Sequence, residues 1–502
     1  MKSSKKSFII YNIVRFWDFV CRKYGESLLG ALISRLVTCF KAGILWRFLT
    51  HDGPIGTTWG ESRFYRALQW CLDLPAGVLA RVGKLSPNGV VPPLCRKLCA
   101  PLLGVMLLLL LVIPQQHWNN LYSLVMVCGI LILYYLSSLS GEKNKLSLKA
   151  VGAWPVLFLL VVLLSWFWSD SRALGTRYLA FAFTCAVLVL LLVTVADTEK
   201  KLRTILRFGA AGMAVCSIWA VCQRIIGVAP SAALTDLSLN PDMPGRVFSF
   251  FENPNSFANL LVFFAPLMLS MAIFSKKNLE RLAYLAVFLL CAFALVMTYS
   301  RGGWLSLAFA IFVLMLFVCP RWVPLVVLLC IAALPLLPEN ILSRLLTIFN
   351  FSDSSTYTRG YIYSAMGKLI LLNPVFGVGI GADTLRQSVQ DAGVYVAQSP
   401  FVHGHNLYLQ LWAESGIFAL IAFFGSLFGT MRKGTRALKL QSVSPLLRGI
   451  VVGCISGLSG ALLFGITDYA WSYPRIMVLF WFLFALLLAA IRIIEKEAGN
   501  NA

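Results

Sequence analysis

His403-Gly404-His405-Asn406 stands where a long polar stretch ends and an apolar run begins. A histidine fixed where loop meets membrane faces water and lipid head groups together, and its imidazole accepts a proton near neutral pH. Upstream, Arg246, Arg301 and Arg359 fall in segments that the charge pattern places on the same side of a membrane. The guanidinium fork binds phosphate oxygens through paired hydrogen bonds and keeps its charge at all working pH values. One base and several anion-binding cations at one interface point to chemistry on a lipid-linked phosphate. A diphosphate leaving group gains negative charge as its bond to sugar breaks, and arginines aimed at it stabilise that charge. The outer segments hold no Asp-x-Asp motif, and Asp353, Asp383 and Asp391 are scattered, so transfer without a metal or other cofactor is expected.

The chain has four histidines, and His51 and His117 read as structural or solvated. His403 and His405 differ because they adjoin Asn406 at the head of an apolar run that contains Gln410 and Glu414. An ionisable Glu414 inside a membrane helix is costly and calls for a partner or a task, either a structural hydrogen bond or a part in catalysis.

These residues need a scaffold, and the composition says which kind. The 502 residues are 59% hydrophobic and 13% charged, with mean hydropathy +0.79. Apolar runs of bilayer-spanning length recur from residue 98 to residue 494, at 98–113, 120–139, 150–168, 178–196, 204–226, 256–274, 282–299, 303–319, 322–337, 406–428, 447–467 and 475–494. The expected fold is an all-α polytopic membrane protein of about twelve transmembrane helices. Most of the thirteen cysteines sit singly in apolar runs and behave as small hydrophobes.

The net charge of +22 would suit nucleic acid, but its distribution reports membrane orientation instead, so no nucleic-acid partner is expected. Alternate connections carry Lys143, Lys145 and Lys149; Lys200, Lys201, Arg203 and Arg207; Lys276, Lys277 and Arg281; Arg321; and Arg432, Lys433, Arg436, Lys439 and Arg448. The intervening connections are poor in lysine. The positive-inside rule then makes the basic set and both termini cytoplasmic, in the cytoplasmic (inner) membrane. Residues 1–95 form a basic extension, within which 27–49 reads as a helix lying on anionic lipid. A spanning helix there would have to carry Arg35 and Lys41. Residues 96–500 form the transmembrane domain.

Three outer segments collect the unusual residues. The connection 338–405 is the long one, placed before the third-last helix, and long loops in compact helical proteins usually serve function. Its stretch Arg359 to Leu372 has helical spacing and reads as a surface helix. Gly377, Gly379 and Gly381 have no preceding strand and no P-loop lysine, so they read better as a bend that lets backbone approach a helix or substrate. The second segment, Gly245-Arg246 through Asn253-Pro254-Asn255, pairs an arginine with a turn and a helix cap, and also fits an interfacial belt. The third, Tyr299-Ser300-Arg301-Gly302-Gly303-Trp304, joins two spans with almost no loop. A snorkelling arginine fits there, as does an anion site with close backbone approach.

Three of these stretches resemble the O-antigen ligase and Wzy-type polymerase superfamily: Gly245-Arg246 to Asn259, Thr298-Tyr299-Ser300-Arg301-Gly302-Gly303-Trp304, and His405-Asn406 followed by Gly416. The resemblance covers about residues 100–495. It implies a C-type glycosyltransferase-like fold. It also implies transfer of a glycan from undecaprenyl diphosphate to an acceptor (lipid, polysaccharide or protein) on the outer face of the cytoplasmic membrane. Carried over, His405 activates the acceptor, Arg246 and Arg301 bind the diphosphate, and Arg359 helps hold the donor. Asn406, Glu414, Asn253 and Asn255 support them. Ile417-Phe418-Ala419-Leu420 replaces the threonines of some ligases, and the basic extension lies outside the shared pattern. Both departures bear on the acceptor. A Wzy-type polymerase shares the same donor site, while a glycolipid transporter or flippase would place its polar groups at the midplane of repeated halves.

Overall fold

The computed structural model describes residues 54–500 apart from 85–88, 230–243, 337–338, 340, 343–353, 398–399 and 442, together with parts of 15–42. The expected surface helix at 27–49 lies largely outside the described residues. All regular structure among them is helical. After α1 (Arg63–Gly83) come α2 (Val91–Val112), α3 (Leu121–Leu136), α4 (Ala153–Trp168), α5 (Arg172–Val195) and α6 (Glu199–Ile226). The second half brings α7 (Pro254–Phe274), α8 (Asn278–Met297), α9 (Arg301–Val318) and α10 (Val323–Ala333). Two helices of the long connection follow, α11 (Ser354–Leu372) and α12 (Ala382–Asp391), and then α13 (Leu407–Ala437), α14 (Pro445–Thr467) and α15 (Pro474–Asn500).

Among the described residues, ten helices are long and apolar enough to cross a membrane, and the stretches Ala153–Trp168 and Pro320–Leu336 are shorter apolar helices. Together they account for the twelve expected runs. The first span starts at Val91, ahead of its apolar core, because Pro92 and Pro93 sit in the opening turn, where a missing N–H costs nothing. Helices α7, α14 and α15 are the most buried. Small residues let them approach: Gly453 and Gly457 of α14 lie against the α7 backbone at Leu267 and Phe263, and Gly460 lies against α9.

The basic connections gather at one end. Arg203 and Arg207 at the start of α6 both reach Glu280 at the start of α8, at 3.0 and 3.2 Å. Arg492 near the end of α15 donates to the carbonyls of Val193 and Thr194. The N-terminal segment packs at the same end, where Trp17 stacks on Trp322 and donates to the Arg321 carbonyl at 2.8 Å.

The long connection is a folded unit. Ile362, Met366, Leu369 and Ile370 of α11 bury against Leu385 and Val389 of α12, Phe401, and Ala413 of α13. The helix expected over 359–372 is present within α11, but the apolar face expected to rest on the membrane surface is covered by protein.

Candidate active site

Helix α13 breaks at Gly416, whose φ of 76° and ψ of 176° leave the helical region. The carbonyls of Ala413 and Glu414 lose their helical donors there, and backbone N–H groups of the glycine-rich run replace them. Val378 donates to Ala413 and Gly379 to Glu414, each at 2.9 Å, while Ile417 donates outward to Pro374 at 3.1 Å. Gly377, Gly379 and Gly381 all have positive φ (68°, 115° and 109°), which an L side chain rarely adopts. Their task is to lay the outer loop onto a broken helix and satisfy its carbonyls, as backbone at membrane depth requires.

Glu414, 3% exposed, accepts from Gln410 Nε2 at 2.6 Å, and Gln410 Oε1 accepts from the Gly404 N–H at 2.7 Å. The buried carboxylate therefore anchors the backbone one residue before His405. Asn406 caps α13 by accepting from the N–H groups of Tyr408 and Leu409, and its amide donates to the Ile466 carbonyl at 2.9 Å. This cross-link brings the end of α14 beside the histidines.

Asp468, the residue just after α14, meets them there. Its Oδ1 lies 3.4 Å from His405 Nδ1, a nitrogen that is buried without an aligned hydrogen bond. Burial opposes ionisation of Asp468, but His405, His403 and the charge of Arg359 outweigh it and hold the carboxyl below the usual range. The imidazoles of His403 and His405 are 4.0 Å apart between centroids. His403 Nδ1 accepts the His405 backbone N–H at 3.2 Å, and burial followed by the neighbouring His405 pushes its pKa down to about 4. His403 is thus a neutral acceptor. His405, with a third of its side chain open at 32% exposure, is the imidazole a substrate can reach. Tyr363 of α11 donates to the His405 carbonyl at 3.3 Å.

The arginines divide. Arg246, 9% exposed, donates from Nε to the Thr298 carbonyl at 2.7 Å and from Nη2 to Asn255 Oδ1 at 2.6 Å. Asn253 caps α7 by accepting from the Asn255 N–H, so both asparagines fix the segment that carries Arg246. Arg301 opens α9 under a Ser300 cap, half-buried, with Gly302 against Thr467, the neighbour of Asp468. Arg359 and Arg386 lie close enough for their charges to disfavour protonation of His403. The structure thus brings the arginine hairpin, the Arg246 segment and the histidine loop to one end of the bundle.

Backbone strain marks the same three segments. Among the described residues, the non-glycine residues at positive φ are Ser249 (54°), Tyr299 (50°) and His405 (45°), one in each. Such conformations cost about 1–3 kcal/mol apiece and concentrate where geometry serves a site.

The ligand atoms of His403, His405 and Asp468 lie within 4.8 Å of one another, a set able to hold a divalent transition ion. Against that use, His403 Nδ1 is already occupied by a backbone donor, and two arginine charges press on the same cluster. Sequence reasoning missed Asp468, whose only signal is a carboxylate in a short outer connection. It also missed Arg475, 1% exposed, which donates to the Leu110 carbonyl and stacks over Phe251 and Trp118 at 4.4 and 5.0 Å.

The family model for O-antigen ligase matches residues 285–424. The matched stretch holds the Thr298–Trp304 hairpin, the long outer loop with Arg359, His405 and the Gly416 break, and it supports the resemblance drawn from the sequence. Arg246 and Asp468 lie outside it. No curated protein matches the chain.

Proposed function

We propose that the chain transfers a glycan from undecaprenyl diphosphate to an acceptor hydroxyl on the outer face of the cytoplasmic membrane, without a metal ion. Both termini are then cytoplasmic. The observation that carries this reading is the His405–Asp468 pair at the end of the bundle where Arg246, Arg301 and Arg359 also gather. Asp468 faces Nδ1, and with the proton there Nε2 is free to accept one. The acceptor oxygen attacks the anomeric carbon of the donor sugar and gives its proton to Nε2. The bond from that carbon to the diphosphate oxygen breaks, and undecaprenyl diphosphate departs with the electron pair. The arginines stabilise the charge that accumulates on it. An apolar cavity of about 240 Å³, lined by Tyr178, Glu414, Tyr469 and Trp481 and extending to Leu68 and Leu148, suits the first few units of an isoprenoid chain beside this site.

The experiment incubates purified protein with an undecaprenyl-diphosphate glycan and candidate acceptors. Release of undecaprenyl diphosphate with a glycosylated product, absent with His405→Ala, supports the transferase and identifies the acceptor as a lipid, polysaccharide or protein. Donor that is bound or moved across vesicles and never cleaved replaces this reading with a transporter.

A further inference from the structure

The end of the bundle far from His405 holds a second cavity, of about 630 Å³. Its walls come from parts of the chain that the transfer reaction leaves unused. Trp59, Glu61, Gln69 and Asp73 belong to the N-terminal extension, and Lys145 and Lys149 to the connection after α3. Lys433 comes from the end of α13, and Arg492 and Glu495 from the end of α15.

The charges are unevenly matched. Asp73 is already engaged by Lys143 at 3.7 Å and by Gln69 at 2.9 Å. Lys145 and Lys149 form no salt bridge with a carboxylate among the described residues, and the charge of Lys433 acts on Glu495, so three lysines and Arg492, which also donates to the Val193 and Thr194 carbonyls, face Glu61 and Glu495. The aliphatic part of Lys149 folds over Gly60, and the Lys433 ammonium lies by Gly152, so the extension and the helix ends are brought together around these cations. The indole Nε1 of Trp59 is buried and has no acceptor. A buried donor without an acceptor is costly, and a ligand oxygen would satisfy it. Several ammonium groups and one indole N–H around a cleft at a helix-end level fit a phosphate group.

We propose that this cleft binds a phosphate group, carried by an anionic phospholipid or by a soluble phosphate, and that the N-terminal extension forms one wall of the site. The site is separate from His405 and independent of the glycan reaction. Binding there ties the extension to the spans and stabilises the whole bundle.

The test uses the full chain in phosphatidylcholine nanodiscs, titrated with dihexanoyl phosphatidylglycerol in one arm and inorganic phosphate in the other, with thermal unfolding as readout. A rise in Tm with phosphatidylglycerol alone assigns the lipid head group, and a rise with both assigns phosphate itself. The combined variant Lys145→Gln, Lys149→Gln, Lys433→Gln weakens binding by about a hundredfold, at roughly fivefold per lysine. Lys276→Gln with Lys277→Gln, on exposed residues outside the cleft, leaves it unchanged. Trp59→Phe keeps an aromatic side chain and removes the indole N–H together with the five-membered ring, and it shrinks the probe-induced rise in Tm measured from the variant's own starting value. No rise with either probe, or an equal rise in the triple-lysine variant, overturns the proposal.

Discussion

Nδ1 of His405 and Oδ1 of Asp468 stand 3.4 Å apart although two helices, α13 and α14, intervene between them in the chain. The aspartate is 12% exposed and kept ionised, so it can fix the imidazole's tautomer and balance the imidazolium that forms when a proton arrives. Asp468→Asn keeps the shape and removes the charge. Turnover should fall roughly 10²–10⁴-fold with the melting temperature little changed. Measured release of undecaprenyl diphosphate at full wild-type rate in this variant would remove Asp468 from the mechanism.

Arg246 and Arg301 should respond differently to lysine. Arg246 already spends donors on Thr298 and Asn255, so Arg246→Lys loses a structural clamp as well as a fork, and both Tm and turnover drop. Arg301→Lys, at a half-buried position where Arg246 is 9% exposed, should lower turnover on a lipid-diphosphate donor by about 10²-fold or more with a smaller fall in Tm than Arg246→Lys. Equal effects of the two substitutions on thermal unfolding would contradict this division.

Acid should loosen the histidine loop. His403 has a folded pKa near 4 against an ordinary 6.5, so unfolded chain binds its proton more readily and stability is lost as pH falls through that interval. Asp468 is depressed, and its contribution is present above its ordinary value of 3.8 and lost below it. Both act in the same direction. Tm should therefore decline from pH 7 to pH 4, and His403→Phe should flatten the upper part of the decline. A pH-independent Tm across that range in the wild type would be the contrary result.

Gly416→Ala should detach the outer loop. A β-carbon there meets the Val375 carbonyl, and φ of 76° is strained for alanine. A destabilisation of about 2 kcal/mol or more is expected, seen as lower Tm and faster proteolysis within 373–381. Unchanged protection of that segment would show that the break in α13 is not what holds it.

A chelator should leave transfer intact. The His403, His405 and Asp468 atoms are near enough to share an ion, so this outcome separates a proton-accepting pair from a metal site. Activity lost with EDTA and restored by one divalent metal would reassign the cluster.

Much of this architecture was legible in the sequence because apolar length and alternating lysine content act locally. The runs that became α5, α7, α13, α14 and α15 are read directly from hydropathy, and α11 from its helical period. His405, Arg246 and Arg301 stood out because polar groups at membrane level are few. Asp468 did not, since its meaning lies in a contact made across two spans. The glycine run read as a bend that lets backbone approach a helix, and its N–H groups reach the Ala413 and Glu414 carbonyls of α13, a partner no local signal named. Arg475 sat at the edge of the last expected span and gave no sign of its place between Phe251 and Trp118.

The position of Asp468 also sets an order of events during biosynthesis. His405 leaves the ribosome well before Asp468, and Asn406 finds Ile466 only after α14 has been inserted. A nascent chain arrested ahead of residue 468 therefore carries His405 and all three arginines yet lacks the carboxylate that lies 3.4 Å from the imidazole. Under the proposed mechanism the protein becomes competent only as its final helices enter the bilayer, so incomplete chains awaiting degradation would be inert toward a lipid-linked donor.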